Sequence, residues 1–447
     1  GAASFSSDNF AASSGAVTIK DLGVATGEIQ DNAITLAKMA SGTDGNIISY
    51  DASGNPVAIA TGNDGQVLTS AGAGAQPAFE TLSVTPAAGS ITTAQLAYDP
   101  NPFRNIVING DMSLAQRSTS VSGIDGTESG YKTVDRMYTE ISNAGAWTQS
   151  RSTSVPTAQG FATSLKMDCT TADSSPTFLS VETSFEGQNL QYLKKGTSSA
   201  VSTTLSFWVR SNKTGTYVAE LRDYDNNRTI SQAYTISSAD TWEKKTLTYA
   251  GDTSGALGND NGKSLGVTFF LAVSSTYSSG TLATSWGSRT NANRAVGQVN
   301  LADSTSNNWY ITGVQLEAST VASEFEFLPI DVNLGRCQRY YYLHSEEVAN
   351  NKPIGIGFYY SSAYLGISVH YPITMRGTPS VISPNATDYF KIDRNGGSDT
   401  FNSIAAEIGS SNCMYCYNGN QASGTGGQSG YVRTNNASSY LAFEAEL

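Results

Sequence analysis

The sequence predicts an all-β protein built as an elongated homotrimeric fibre: a β-rich stem, a jelly-roll sandwich and a C-terminal β tip. Three observations carry this. Only 14% of the 447 residues are charged while 23 are tyrosine, a composition suited to pleated, half-buried sheets with weakly charged surfaces. Gly42-Thr43-Asp44-Gly45-Asn46-Ile47-Ile48-Ser49 is echoed twenty positions later by Gly62-Asn63-Asp64-Gly65-Gln66-Val67-Leu68-Thr69, and each copy ends in an X-Pro turn, Asn55-Pro56 and Gln76-Pro77. From 101 to 330, alternating runs recur between Gly, Asn, Asp and Ser turns, the pattern of an antiparallel sandwich.

Taken in order, residues 1–40 open with a short strand in Ala16-Val17-Thr18-Ile19-Lys20 and a loop. The run from Ile29 to Met39 then has Asp31 or Asn32 placed as N-cap before apolar residues, which predicts a helical turn or two. Residues 41–100 form the stem, closed by Gly89-Ser90-Ile91-Thr92-Thr93-Ala94-Gln95-Leu96-Ala97. A unit of twenty residues cannot bury a core of its own, and a lone hairpin leaves its faces and edges open. Closing three chains around an axis removes both problems, hence the trimer. A flexible Gly/Ser/Ala linker is the competing reading, but it does not require two copies in matching phase.

The turn cluster Asp99-Pro100-Asn101-Pro102 marks a boundary. The 101–330 domain begins with Asn105-Ile106-Val107-Ile108-Asn109-Gly110-Asp111, read as a strand ending in an Asn-Gly turn. Strict alternation follows in Thr204–Arg210, Tyr217–Leu221 and Trp309–Leu316. The tryptophans Trp147, Trp208, Trp242, Trp286 and Trp309 are expected in the core, Trp208 and Trp309 above all because they stand in alternating strands. The 331–447 tip has strands at Gly355–Tyr360, Ala363–Ile373 and Ser439–Leu447, the last one pinned in a sheet.

Arg104-Asn105-Ile106-Val107-Ile108-Asn109-Gly110-Asp111 with Gln116-Arg117, then Leu205–Arg210, then Ile311–Glu317 through Phe325–Ile330, resemble the carbohydrate-binding-module-like jelly roll of tailed-bacteriophage tail fibres. Leu334-Gly335-Arg336-Cys337-Gln338-Arg339-Tyr340-Tyr341 resembles the segment that succeeds that module, and the stem phrases are similar to fibre shafts of the same group. The resemblance touches roughly residues 30–345. It implies a virion structural protein, assembled in the host cytoplasm, whose residues 1–40 attach to other virion tail proteins. By analogy the distal 331–447 piece is a receptor-binding head for a host surface glycan or protein.

Function classes narrow further on chemistry. A net charge of −12 argues against nucleic acid, which requires clustered cations. Residues 1–100 hold two cations against nine carboxylates, an acidity that keeps a thin stem in solution. No apolar stretch approaches membrane-spanning length and the start lacks the basic and apolar regions of a signal peptide, so neither membrane insertion nor an export signal is expected. Cys169, Cys337, Cys413 and Cys416 are too few for a disulfide framework and are expected as free, mostly buried thiols.

A glycosidase needs two carboxylates, one of them desolvated. Glu186, Asp223, Asp225, Asp252 and Asp260 are candidates, but each sits among turn-like polar residues where solvation is expected. His344 and His370 are the only histidines and neither has a Gly-x-Ser-x-Gly elbow nearby. Cys413-Met414-Tyr415-Cys416 has the spacing of a zinc half-site without a second pair of ligands. Asp223-Tyr224-Asp225-Asn226-Asn227-Arg228 offers oxygen ligands but lacks the glycine and glutamate of a calcium loop, and reads as a hairpin turn.

No catalytic residue, metal or cofactor is therefore expected, and the action is binding. A polysaccharide depolymerase and a purely structural component, a head fibre or tail adaptor, remain the alternatives. Sugars present apolar faces and dense hydroxyls, matched by exposed aromatics beside amides and Arg. Tyr415, Tyr417, Asn418, Asn420, Tyr431, Arg433 and Asn435 combine these at the tip and are the candidate receptor-binding residues.

Overall fold

The near-repeat folds as two separate hairpins: Ile47–Tyr50 pairs antiparallel with Pro56–Ile59, and Gln66–Thr69 with Ala78–Thr81. Gly45 and Gly65 precede the first strands at φ of 81° and 82°, a left-handed turn that strains any Cβ. That requirement explains why Asp-Gly recurs in phase. The X-Pro pairs lie inside the hairpins instead of ending them, with Pro56 opening its second strand and Pro77 preceding the other. Asp51 Oδ1 tightens the first loop by accepting from the Ser53 and Asn55 amides (2.8 and 2.9 Å). A third hairpin, Phe10–Ser13 with Ala16–Ile19, lies upstream.

The computed structural model describes residues 4–21, 23–30, 33, 43–81, 103–345 and 351–447. It divides into two units, Gly1–Ala88 and Gly89–Leu447. The helical turn expected around 31–39, the phrase 89–97 and the boundary cluster 99–102 lie, apart from Ala33, outside the described residues. The chain is all-β, and no helix among the described residues is long and apolar enough to cross a membrane.

The second unit begins with an antiparallel sandwich. One sheet orders its six strands as Glu243–Tyr249, Thr203–Ser211, Asn308–Glu317, Ser164–Thr171, Ala146–Ser152 and Ser120–Ile124. The other orders seven as Gly287–Ser288, Arg228–Ile236, Gly215–Asp223, Lys263–Val273, Phe178–Glu186, Tyr138–Ser142 and Gly130–Tyr131. Alternate residues of both sheets meet in a core that includes Trp147, Leu165, Phe207, Tyr217, Phe269 and Trp309. Phe207 sits edge-on between Tyr234 and Phe269, both at 5.0 Å, a favoured aromatic geometry.

Three expectations fail here for physical reasons. Residues 105–111 are not a strand but a buried extended segment running into a turn at 108–111. The Asn105 side chain takes the place of ladder bonds, donating to the Val314 carbonyl (3.1 Å) and accepting from the Val107 and Leu316 amides (3.0 and 3.1 Å). Trp208 is not core: Phe207 and Val209 take the inward positions, and period-two alternation turns the indole outward to a half-buried place; Trp242 is likewise half-buried, and Trp286 packs only partly buried against the core's edge.

The third failure concerns the carboxylates. Glu186, Asp223 and Asp252 are buried, not solvated. Lys195 bonds both Asp223 and Asp252, and Arg228 holds Asp252 bidentately (2.7 and 3.0 Å). Burial opposes ionisation of Asp252, but the Arg228 and Lys195 donors outweigh it and hold its carboxyl below the usual range. Only Asp225 and Asp260 are exposed, each accepting a loop amide, from Gly258 and Gly262 (both 2.8 Å). The 223–228 segment is the expected turn, with Asp223 paired to Arg228 and Asn227 at φ 51°.

The tip opens with a helix, Ile330–Gln338, which periodicity did not single out. A seven-stranded sheet follows, in the order Gly397–Phe401, Phe390–Arg394, Ser429–Thr434, Pro353–Ser361, Tyr364–His370, Cys413–Gly419 and Ala405–Gly409. Its inner face packs on a three-stranded sheet of Tyr341–Ser345, Leu441–Glu444 and Ser380–Ile382, with Phe390, Phe401, Leu365, Ile367 and Phe443 in the core between. The final strand is central in that small sheet. Cys169, Cys337 and Cys416 are buried free thiols and Cys413 is half-buried.

Tip and sandwich are joined by charge. The buried Arg136 guanidinium lies 3.6 Å over the Tyr340 ring and bonds Glu446. Arg117 reaches Glu444 and Glu446 (2.7 and 3.1 Å) and stacks on Tyr341. Glu186, at the end of its sandwich strand, accepts two bonds from Arg339 (2.6 and 2.7 Å) and one from the Tyr340 hydroxyl (2.6 Å).

Glu446→Gln should destabilise this unit by about 3 kcal/mol, because it strands the buried Arg136 charge; urea unfolding of the two proteins checks this. Asp135, beside the joint, is pushed up to about 6 by burial, against the lowering pull of its Gln116 bonds and Arg117. A carboxyl raised above its unfolded value of about 3.9 keeps its proton longer when folded, so its contribution declines as pH rises from about 4 to about 6, by up to about 3 kcal/mol. The stability of wild type relative to Asp135→Asn should therefore fall across that window and stay level above it.

Candidate functional site

The outward face of the seven-stranded tip sheet carries a cluster of exposed rings. Directly paired residues share a face, so the register places Ser429, Phe358, Gly366 and Tyr417 in one row across four strands. Ser368, Tyr415 and Ile408 lie in the next row, and Asp393, Tyr431 and Ile356 continue it across the sheet. Tyr360 is 76% exposed, Ile356 67%, Phe358 41% and Tyr431 39%. Apolar surface this contiguous on a polar chain marks a contact face.

Its geometry is that of a platform. The Tyr364 and Tyr417 rings stack nearly parallel, with centroids 5.3 Å apart and planes at 5°. Tyr360 meets Tyr364 edge-on at 6.0 Å, and Phe358 lies 6.2 Å from Tyr415. Gly366 makes the bed for Tyr415: a Cβ there would stand 2.0 Å from the Tyr415 hydroxyl and 2.6 Å from its ring. The missing side chain lets the ring lie across the neighbouring strand.

Polar groups border the rings. The Tyr364 hydroxyl donates to Glu407. Arg433 Nε pairs with Asp393 at 2.6 Å and its Nη1 bonds Asn351. Burial raises the Tyr415 hydroxyl above its ordinary range, with the Glu407 carboxylate adding to the effect, so this hydroxyl keeps its proton and can donate. The Arg433 donors hold the Asp393 carboxyl below the usual range.

The seven residues singled out from sequence separate here. Tyr415 and Tyr417 belong to the platform, and Tyr431 and Arg433 lie on the same face, both on the strand Ser429–Thr434, three strands away. Asn418 does not: alternation after Tyr417 turns it inward, where it is buried and donates to the Ser403 carbonyl and Gln421 (both 2.8 Å). Asn435 is tied to the Asp388 carbonyl at 2.9 Å, past the strand's end. Asn420 sits in the turn at φ 72° with its amide on the Ala363 carbonyl. Sequence reasoning missed Phe358, Tyr360 and Tyr364, because Ile354 to Tyr360 is apolar or Gly throughout and carries no polar parity to mark the outer face.

The remaining candidates are structural in their contacts. His344 Nε2 donates to the Ile354 carbonyl (2.7 Å), its Nδ1 bonds the Tyr342 hydroxyl (2.9 Å), and burial lowers its pKa. Cys413 and Cys416 face opposite sides of their strand. No group of three or more His, Cys, Asp or Glu side chains suited to a metal ion occurs among the described residues.

No protein-family model matches the chain, and no curated protein matches it. Solved structures do. The enzymatically active domain of tailspike protein 4 of bacteriophage CBA120 is 15% identical over 48% of this chain, with a TM-score of 0.27, and the match spans only 22% of that protein. A putative sugar binding protein from Bacteroides thetaiotaomicron is 11% identical over 48% of this chain and all of its own, at 0.27. The family 11 carbohydrate-binding module from Clostridium thermocellum is 12% identical over 47% of this chain and 95% of its own, at 0.21.

Gly366→Ala should cost about 1–3 kcal/mol by displacing Tyr415, and Asn418→Ala about 1–3 kcal/mol by orphaning buried partners. Both are read from urea unfolding, and the Gly366 variant should also shift the Tyr415 ring resonances.

Proposed function

We propose that the chain is a homotrimeric fibre protein of a tailed-phage virion that holds a host surface glycan on the aromatic face of its tip. The single observation that carries the reading is the Tyr364–Tyr417 stack with Phe358, Tyr360 and Tyr415 around it. Flat rings cover the C–H faces of a pyranose, while Glu407, Asp393, Arg433 and the tyrosine hydroxyls offer partners to its hydroxyl groups. Tyrosine supplies such contact area with few torsions to freeze.

The mode of action is binding. A shallow open face gives weak single contacts, and presentation of several copies multiplies avidity about 10²- to 10⁴-fold. The stem supports the trimer: its hairpins expose Ile47, Ile48, Tyr50, Val67 and Leu68, surface that neighbouring copies would cover. Attachment to the virion falls to residues 1–40, and the tip reads the host.

Light scattering of the purified chain should give a threefold mass, and the protein should bind host cells or their extracted surface polysaccharide. Tyr417→Ala and Tyr364→Ala should each reduce that binding about tenfold or more with the mass unchanged. A monomer that ignores cells would sink the fibre reading. A drop in mass on Tyr417→Ala would instead make this face a subunit interface and remove it as the glycan site.

A further inference from the structure

The seven-stranded sandwich sheet buries charge on its outer side. Ala219, Leu221 and Val267 take the inward positions of their strands, so alternation turns Glu220, Arg222 and Thr268 outward, beside Glu182. The segment 274–295 covers part of this layer: Tyr277 packs on Phe178 at 4.8 Å, and Ser231 Oγ donates to the Arg294 carbonyl at 2.8 Å. Most of the charges find partners there. Arg294 holds Glu220 through Nε and Nη2 (2.9 and 2.6 Å). Glu182 accepts from Lys263 and the Tyr224 hydroxyl (both 2.5 Å) and from Ser184 (2.9 Å).

Two arginines at the margin of the layer are left over. The Arg222 guanidinium lies 4.2 Å over the Tyr224 ring. Arg222 pairs with Thr229 in the ladder and Thr229 with Gly287, two residues before Arg289. In both arginines Nε is shut off from water and bonds nothing. Arg136, Arg210 and Arg394 also bury an unbonded Nε, but their terminal nitrogens hold protein acceptors. Among the described residues no acceptor meets any guanidinium nitrogen of Arg222 or Arg289.

The electrostatics agree with the geometry. Burial lowers the pKa of Arg289, and the like charges of Arg294 and Arg222 lower it further. Glu140, on the same face, bonds neither arginine, and burial with the Glu182 carboxylate raises its pKa against the pull of Arg294, Arg222 and Lys263. Arg222, Lys263, Arg289 and Arg294 thus stand as four cations to the three carboxylates Glu140, Glu182 and Glu220. Like charges with buried, unbonded donors are costly unless an anion from outside completes them.

We propose that Arg222 and Arg289 form an oxyanion site that takes a phosphate group, free or esterified. Guanidinium forks match phosphate oxygens bidentately, and a tetrahedral anion offers acceptors to two forks at once, which a flat carboxylate does not. Tyr224 fixes the plane of Arg222 by stacking, so little freedom is lost when the anion docks. The site reads charge and not a sugar ring, and it stands independently of the tip platform and of the fibre reading.

Calorimetric titration of the full chain at pH 7 and fixed ionic strength tests it, with inorganic phosphate, sulfate and glycerol 3-phosphate as probes and chloride as the reference salt. Phosphate and sulfate should bind saturably, and Arg222→Gln and Arg289→Gln should each weaken them about tenfold. Lys244→Gln, which removes a charge from the opposite sheet, should leave binding unchanged. In chloride Arg289→Gln should melt at or above the wild-type temperature, because a like charge is gone, while the rise in melting temperature that phosphate gives wild type should be lost. Glycerol 3-phosphate binding at least as tightly as phosphate would identify esters as the source, and weaker binding the free ion; either supports the site. No saturable binding of phosphate or sulfate, binding undiminished in both arginine variants, an equal loss in Lys244→Gln, or a lower melting temperature of Arg289→Gln in chloride would overturn the proposal.

Discussion

The buried Arg136 charge is the constraint around which the second unit is arranged. It is almost wholly removed from water, lies flat on Tyr340 and pairs with Glu446. Taking such a group out of water costs several kcal/mol unless its partners are held in place. Glu446 is held by the strand that precedes it, since Leu441–Glu444 runs between two neighbours of the small tip sheet. Arg376 then donates to the Ala445 and Glu446 carbonyls (both 2.7 Å). The fold of the tip thereby supplies the countercharge of the sandwich, and the two cannot be formed independently at low cost.

This joint has a functional consequence. Glu186 repeats the device from the sandwich side, taking Arg339 and Tyr340 at the start of the tip. Burial opposes ionisation of Glu186, yet the Arg339 and Tyr340 donors keep its carboxyl below the usual range. Charges held on both sides fix the orientation of the tip sheet on the sandwich. A binding face of the kind proposed for the tip would gain from such rigidity, because less freedom would be lost on docking.

The buried carboxylates show why local context misleads. Asp223 and Asp252 stand in turn-like stretches of sequence, and turns are normally solvated. Here Lys195 arrives from a segment 28 residues before Asp223 and bonds both acids, which turns two loop residues into an enclosed ion cluster. The Asn105 amide is a similar case. Its neighbours read as a strand, but Val314 and Leu316, more than 200 residues away, meet its side chain instead of a partner ladder.

Sequence alone determined the elements whose cause is local. Alternation placed the strands around Phe207, Tyr217 and Trp309; the recurring Asp-Gly placed the stem hairpins; the turn after Asp223 followed from its Asp and Asn residues. Parity was legible only where one face is polar. In Phe207-Trp208-Val209 and in Phe358-Tyr359-Tyr360 both parities are apolar, so the pattern could not say which ring is core and which is surface. Tertiary structure decided that: the second sheet of the sandwich claims Phe207, and the tip core claims Tyr359, leaving Trp208, Phe358 and Tyr360 outside. The rings left outside are those that packing from distant strands did not need, and no local pattern records what a distant strand will cover.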